Sequence, residues 1–220
     1  MKRFIVAILA STFLITLSTA MFELAPAPVD LRSAVTTHLA KSGVTHPVTA
    51  VLLNYRGYDT LLEIAVLLLA ILAILAITGT ASAPTPGSPS KDHPVLQAMA
   101  RLLAPLAVLF AIYLLWAGAF RPGGAFQAGA VLAAAIVLLH LAGLLPNWTL
   151  PQFRLRLGLV AGFSLFLSVA AALSMQGRLL EFPPDMAGAL ILLIESGLTL
   201  SIALILAGLF LFLSPPEQSQ

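Results

Sequence analysis

The 220-residue chain contains no cysteine. That excludes disulfides, thiolate zinc sites, iron–sulfur ligation and cysteine nucleophiles, so any redox centre the protein works beside is held by another chain. Charge is nearly as scarce. Asp, Glu, Lys and Arg make up 9% of the residues, against about 25% in soluble domains. With 60% hydrophobic residues and a mean hydropathy of +1.02, neither a soluble domain nor a disordered chain fits. Eleven Lys and Arg against nine Asp and Glu leave a net charge of +2, which provides no basic surface for nucleic acid. Catalytic signatures are missing too: there is no nucleophile–base constellation, P-loop, dinucleotide fingerprint or HExxH. His38, His46 and His93 lack metal-ligand spacing. No enzyme active site, cofactor or metal site is expected.

What the chain does have is long apolar runs. A helix crossing the hydrocarbon core needs about 20 mostly apolar residues, and six stretches qualify: 4–22, 60–77, 102–119, 125–145, 155–175 and 186–213. The fold class expected is therefore an all-α integral membrane protein with about six transmembrane helices. The first stretch follows Lys2-Arg3 and ends in Ser18-Thr19-Ala20, the small residues of a signal-peptidase site. Its length, and the continuation into Met21-Phe22, favour a retained span. Lys2 and Arg3 place the N-terminus in the cytoplasm. The remaining basic residues divide almost evenly between the two sides: Lys91, Arg101, Arg154 and Arg156 fall inside, and Arg32, Lys41, Arg56, Arg121 and Arg178 outside.

Residues 81–94, ASAPTPGSPSKDHP, hold four Pro, three Ser and one Gly and read as a solvated linker. It separates a two-span module, residues 1–80, from a four-span module, residues 95–220. In the first module residues 23–59 form a long loop, and within it the apolar 47–54 is too short to span and reads as a short helix. In the second module the loop 119–124 is short enough to force an antiparallel hairpin. The tail from Ser214 is a polar stop.

Four places can carry chemistry. Residues 54–63, NYRGYDTLLE, gather Arg56, Asp59 and Glu63 at the mouth of a span. One reading is structural: Thr60 and Glu63 as a capping box, Asp59 on the helix dipole, Arg56 neutralising Asp59. The other is a proton or cation relay, because ionisable groups at membrane depth are costly and mark ion paths. In residues 121–129, RPGGAFQAG, Pro122, Gly123 and Gly124 make a tight turn, Gln127 adds a polar group, and Ala125, Gly129 and Ala133 present a small-residue packing face. A Gly-rich turn of this kind also resembles an anion-binding nest. Glu195 lies roughly 14 Å into the last stretch. A carboxyl there either keeps its proton or meets a partner from another helix, with Ser196 and Thr199 near enough in sequence to bond it. His140 lies late in the fourth stretch, about 10 Å in depth from Glu195 by helical rise, as a satisfied buried histidine or a relay group. Ser164 and Ser168, one turn apart, read as helix–helix contacts.

The residues resemble a known family. VLLNYRGYDTLLEIAVL (51–67) is similar to the motif, roughly VDFRGFDTxGE, in the C-terminal part of the large subunit of Mrp-type cation/proton antiporters, a region that is a separate small subunit in related membrane-bound hydrogenases. Arg56, Gly57, Asp59, Thr60 and Glu63 match. FRPGGAFQAGAVLAAAIVLLHLAG (120–143) and IESGLTLSIALILAGLFLF (194–212) resemble the MnhB/MrpB subunit, whose pattern runs close to GHxxPGGGFQGG. The resemblance implies a non-redox membrane subunit beside a large antiporter-type subunit in a bacterial or archaeal cytoplasmic membrane. It also implies an ion path using Arg56, Asp59, Glu63 and Glu195, with protons and Na⁺ as the ions moved. Alternatives are the membrane arm of a redox-driven pump, such as a membrane-bound hydrogenase, and a scaffold without path residues. The chain departs from the patterns at Asn54, Leu62, Ala119 and Ala125. Proton transfer through Asp59 and Glu63 survives these changes, while one potential cation ligand loses its charge at Asn54.

Overall fold

A computed structural model of the chain describes residues 2–23, 31–78, 93–145, 153–175, 177 and 180–213, and every structural statement concerns these. The predicted linker, apart from its last two residues, and the tail from Ser214 lie outside them. The helices are α1 (Lys2–Phe22), α2 (Leu31–His38), α3 (Pro47–Ala50), α4 (Gly57–Thr78), α5 (Pro94–Ala117), α6 (Ala125–Leu141), α7 (Phe153–Ser174) and α8 (Pro184–Leu213). A 3-10 turn (Leu39–Lys41) follows α2 and a π turn (Val51–Tyr55) follows α3. No strand occurs among the described residues. All six predicted apolar stretches are helical. Those in α4, α5, α7 and α8 are long and apolar enough to cross a membrane, and those in α1 (Val6–Phe22) and α6 are shorter apolar helices. The protein is an all-α, multi-pass membrane protein.

The chain divides into two compact units, Met1–Ala34 and Val35–Gln220. In the first, α1 turns its hydroxyls back on itself: Thr16 Oγ1 donates to Thr12 O at 2.6 Å and Thr19 Oγ1 to Thr16 O at 2.9 Å. Such back-bonding satisfies these two hydroxyls within the helix.

In the second unit α8 is the hub, half buried along its central window where α4 and α5 are buried over about a fifth. It packs on α6, α7 and α4, and α5 packs mainly on α6. Small residues decide the registers. A methyl on Gly162 would lie 2.8 Å from Ser201 Cβ and 2.9 Å from Gly197 O, and one on Gly158 would meet Leu204, so α7 runs antiparallel to α8. Ser201 Oγ also donates to Leu159 O. Gly129 lies against Ile202 and Thr199, while Gly124, five residues earlier, lies against Glu195, so α6 runs parallel to α8. Ile64 shares a core with Ile194, Leu198 and Ile202, and Ile71 touches Gly208, so α4 is parallel as well.

Several boundaries differ from the sequence reading. Helix α5 starts at Pro94, inside the predicted linker, because proline suits the first helical position, where its missing N–H costs nothing. It therefore carries Gln97, Arg101 and an internal Pro105. Helix α6 ends at Leu141 and not at 145. Gly143 (φ +67°) closes it, with Leu144 N on Leu139 O and Gly143 N on His140 O, a Schellman stop. Ser164 and Ser168 are exposed, and Ser168 Oγ bonds Ser164 O at 2.7 Å. Among the described residues neither hydroxyl bonds another helix.

Candidate functional site

The turn between α5 and α6 is built from residues that leave little bulk. A Cβ on Gly118 would lie 2.7 Å from Gly124 Cα, and one on Gly123 would lie 2.5 Å from Leu114 O. Gly124 itself has φ +107°, and its Cβ would stand 2.6 Å from Glu195 Oε1. The space a side chain would take is where the carboxylate sits. Glu195 is 5% exposed, and its Oε1 accepts a long hydrogen bond from Ala125 N at 3.4 Å. It thus lies at the N-terminal end of α6, where free amides and the helix dipole attract negative charge. Two features that the sequence presents separately, the Pro-Gly-Gly turn and the lone glutamate, form one site. The nest-like turn is filled by the chain's own carboxylate. Pro122 and Gln127 are exposed. Neither predicted hydroxyl reaches the carboxyl: Thr199 Oγ1 donates to the main-chain Glu195 O at 2.8 Å, and Ser196 Oγ to Leu192 O at 2.7 Å.

Residues 45–49 pack over this turn. Gly43 (φ +76°) presses on Ala187 and Gly188 near the start of α8, closer than any side chain permits. Thr45 N and His46 N both donate to Ala119 O, at 3.0 and 3.1 Å. Thr49 Oγ1 donates to Gly118 O at 2.5 Å, and His46 Nδ1 lies 3.3 Å from Thr49 Oγ1. Asn54 Nδ2 donates to Ser42 O at 3.0 Å. Sequence reasoning misses His46 and Thr49. Their only signal is a histidine just before, and a threonine within, an apolar run too short to span.

The π turn then feeds α4. Arg56 N bonds Val51 O at 2.8 Å, the five-residue spacing of a π turn. Thr60 Oγ1 donates to Leu52 O at 2.7 Å, so it tethers the π turn to α4. The expected capping box between Thr60 and Glu63 is not formed, because α4 already begins at Gly57 and Thr60 lies within its first turn. Arg56 pairs with Asp59 at 2.6 Å, with the two side chains 67% and 44% exposed. Glu63 is exposed, and with Asp59, Leu62, Val66, Leu67 and Phe126 it lines an open groove of about 660 Å³. Phe126 follows Ala125, the residue whose amide meets Glu195.

Axial register brings these groups to one level. Asp59 precedes Ile71 by twelve residues, and Glu195 precedes Gly208, which Ile71 touches, by thirteen. Helices α4 and α6 both start near Glu195, about 16 Å along α8 from Pro184. His140 does not join them. Because α6 begins at the level of Glu195 and runs parallel to α8, His140 sits about 22 Å further on, not 10 Å away. Its Nδ1 is buried without a hydrogen-bond partner among the described residues. Among those residues no three His, Asp or Glu side chains are placed to hold a metal ion.

The profile of a family described as a domain related to the MnhB subunit of Na⁺/H⁺ antiporters matches residues 95–211. The chain belongs to this family. The MnhB-related match takes in α5 to α8, and so Gly124 and Glu195, but not Arg56, Asp59 or Glu63. The chain is 26% identical over 167 residues to a protein of Rhizobium meliloti (strain 1021) described as a probable K(+)/H(+) antiporter A/B subunit, an alignment that covers 65% of this chain and 16% of that protein. The matched part thus spans about a sixth of that relative's length. Two solved structures share the fold. A chain of the membrane-bound sulfane sulfur reductase, an archaeal respiratory membrane complex, superposes with a TM-score of 0.74 at 23% identity, covering 96% of this chain and 98% of that one. A chain of the Mrp complex from Dietzia sp. DQ12-45-1b superposes with a TM-score of 0.72 at 21% identity, covering 99% of this chain and 26% of the larger one.

Proposed function

We propose that this MnhB-related chain is a membrane subunit of an Mrp-type cation/proton antiporter complex, where it forms part of a proton path beside a large antiporter-type subunit. Residues 1–80 correspond to the C-terminal part of that large subunit, 81–94 to a linker and 95–220 to the MnhB-like subunit, with the N-terminus in the cytoplasm. One observation carries the path reading: Asp59 and Glu63 at the start of α4 lie at the level of Glu195, which is buried against the start of α6. Secondary transporters build their ion sites at helix ends that stop partway across the membrane, and α4 and α6 start partway down α8. In this reading Asp59 and Glu63, open to the groove, exchange protons with a neighbouring subunit or with water, and Glu195 is the interior acceptor. Arg56 holds Asp59 in place through its ion pair. The ions moved are protons and Na⁺, and the chain acts in transport with no reaction of its own.

The test uses everted membrane vesicles that hold the assembled complex, with a fluorescent pH probe and added Na⁺ or K⁺. Glu63→Gln and Glu195→Gln each abolish cation-driven proton exchange at unchanged complex levels. Glu195→Gln keeps an oxygen that can accept from Ala125 N, so folding is preserved. Full exchange in both variants overturns the path and leaves a scaffold.

The near-complete overlap with a respiratory-complex chain, 96% of this one and 98% of the other, favours one second reading, a subunit of a redox-driven pump. Purification in mild detergent separates the two, because only the redox machine brings down chains with iron–sulfur absorption.

A further inference from the structure

We infer that His46 is a proton-relay group serving Glu195, with Thr49 fixing which ring nitrogen does the work; this rests on the reading of Glu195 as a path residue. His46 lies far from Glu195 in sequence and in a different predicted module, yet the fold stations both on the same turn. On one side His46 N bonds Ala119 O and Thr49 Oγ1 bonds Gly118 O. On the other side Glu195 Oε1 occupies the place of the missing Gly124 side chain. Gly118 and Gly124 are in direct contact across the turn. The glycines at 118 and 124 thus link the two groups through one turn: Thr49, which holds the imidazole, bonds Gly118 O, and Glu195 lies against Gly124.

The hydrogen-bond directions set the tautomer. A threonine hydroxyl has one proton to give, and that of Thr49 goes to Gly118 O at 2.5 Å. Toward His46 Nδ1, at 3.3 Å, the same oxygen acts only as an acceptor. Nδ1 therefore carries hydrogen and stays engaged, and Nε2 is the basic nitrogen of the neutral ring. Nε2 has no hydrogen-bond partner among the described residues, and His46 is only half-buried. The chain of bonds through Nδ1 ends on a carbonyl, which passes no proton onward, so the route in and out is Nε2. Nε2 takes a proton from water and becomes N–H. It then gives up that proton toward the Glu195 carboxylate, which becomes the neutral acid as the ring returns to its neutral form.

The experiment uses the same vesicles and the assembled complex. Asparagine reproduces an N–H donor for Thr49 but has no basic nitrogen. His46→Asn therefore assembles normally and loses cation-driven proton exchange about tenfold. Thr49→Ser retains exchange, and Thr49→Val loses several-fold. Added imidazole restores exchange to His46→Ala and does nothing for Glu195→Gln. Wild-type exchange in His46→Asn, or no rescue of His46→Ala by imidazole, overturns the relay and leaves His46 as a staple for the turn. If Glu195→Gln itself retains full exchange, the path reading fails and His46 loses its acceptor with it. A normal His46→Asn beside a dead Glu195→Gln sinks the relay alone.

Discussion

At the scale of the residue, Gly124 is the constrained position that bears on the site. Two separate demands fall on it: a backbone at φ +107° and a side-chain volume already taken by Glu195 Oε1. Gly177 meets only the first, with φ +74° and nothing within 4 Å of an added Cβ. The pair makes an internal comparison. Gly177→Ala costs backbone strain of about 1–3 kcal/mol. Gly124→Ala costs that strain plus displacement of a buried carboxylate, so it melts at the lower temperature in the purified complex and loses proton exchange. Equal melting temperatures would show that the carboxylate moves aside at no cost. Arg56 and Asp59 stand at the other extreme. Their pair is exposed, and exposed pairs contribute about 0–1 kcal/mol, so its value lies in placement more than in stability.

At the scale of the element, glycine positions set how far each helix slides along its neighbour. Gly162 meets Ser201, Gly197 and Leu198 at separations that admit no side chain. Gly162→Val pushes α7 off α8, breaks the bond from Ser201 to Leu159 O, and lowers the amount of assembled complex recovered from membranes, whereas Gly162→Ala retains more. Helix existence is legible in the sequence, because length and apolarity alone decide it, and all six stretches form. Axial register is not. It depends on which small residue of one helix meets which residue of another, and that is why helical rise alone misplaces His140 relative to Glu195. The exposed Ser164 and Ser168 show the same gap from the other side: a hydroxyl on an apolar helix looks like a contact in sequence, but its own backbone satisfies it equally well. The π turn leaves no sequence signal beyond the brevity of the apolar run at 47–54.

At the scale of the whole molecule, the candidate site is legible in pieces. Charge is so scarce that Asp59, Glu63 and Glu195 stand out at once, and the Pro-Gly-Gly turn is visible as a turn. Their arrangement is not, because Glu195 meets Ala125, 70 residues away, and the groove of Asp59 and Glu63 takes in Phe126 from the other predicted module. The outer side of α5 is apolar from Leu102 through Leu106, Leu109 and Tyr113 to Trp116, all exposed in this chain. Such a face belongs in lipid or against an apolar neighbour. Since the chain has no cysteine, a single one introduced as Leu106→Cys gives an unambiguous label. In membranes it reacts with a lipid-soluble maleimide and not with a membrane-impermeant one. Reaction with both would place α5 on water. The π turn ahead of α4 has a mechanical consequence. It holds one residue more than an α-helical turn, and a helix winds by about 100° per residue. Releasing that residue would roll α4 by more than a quarter turn about its own axis. The carboxylates it carries would sweep from one flank to another, and Ile64 and Ile71, fully buried against α8, are the latch that such a roll must break.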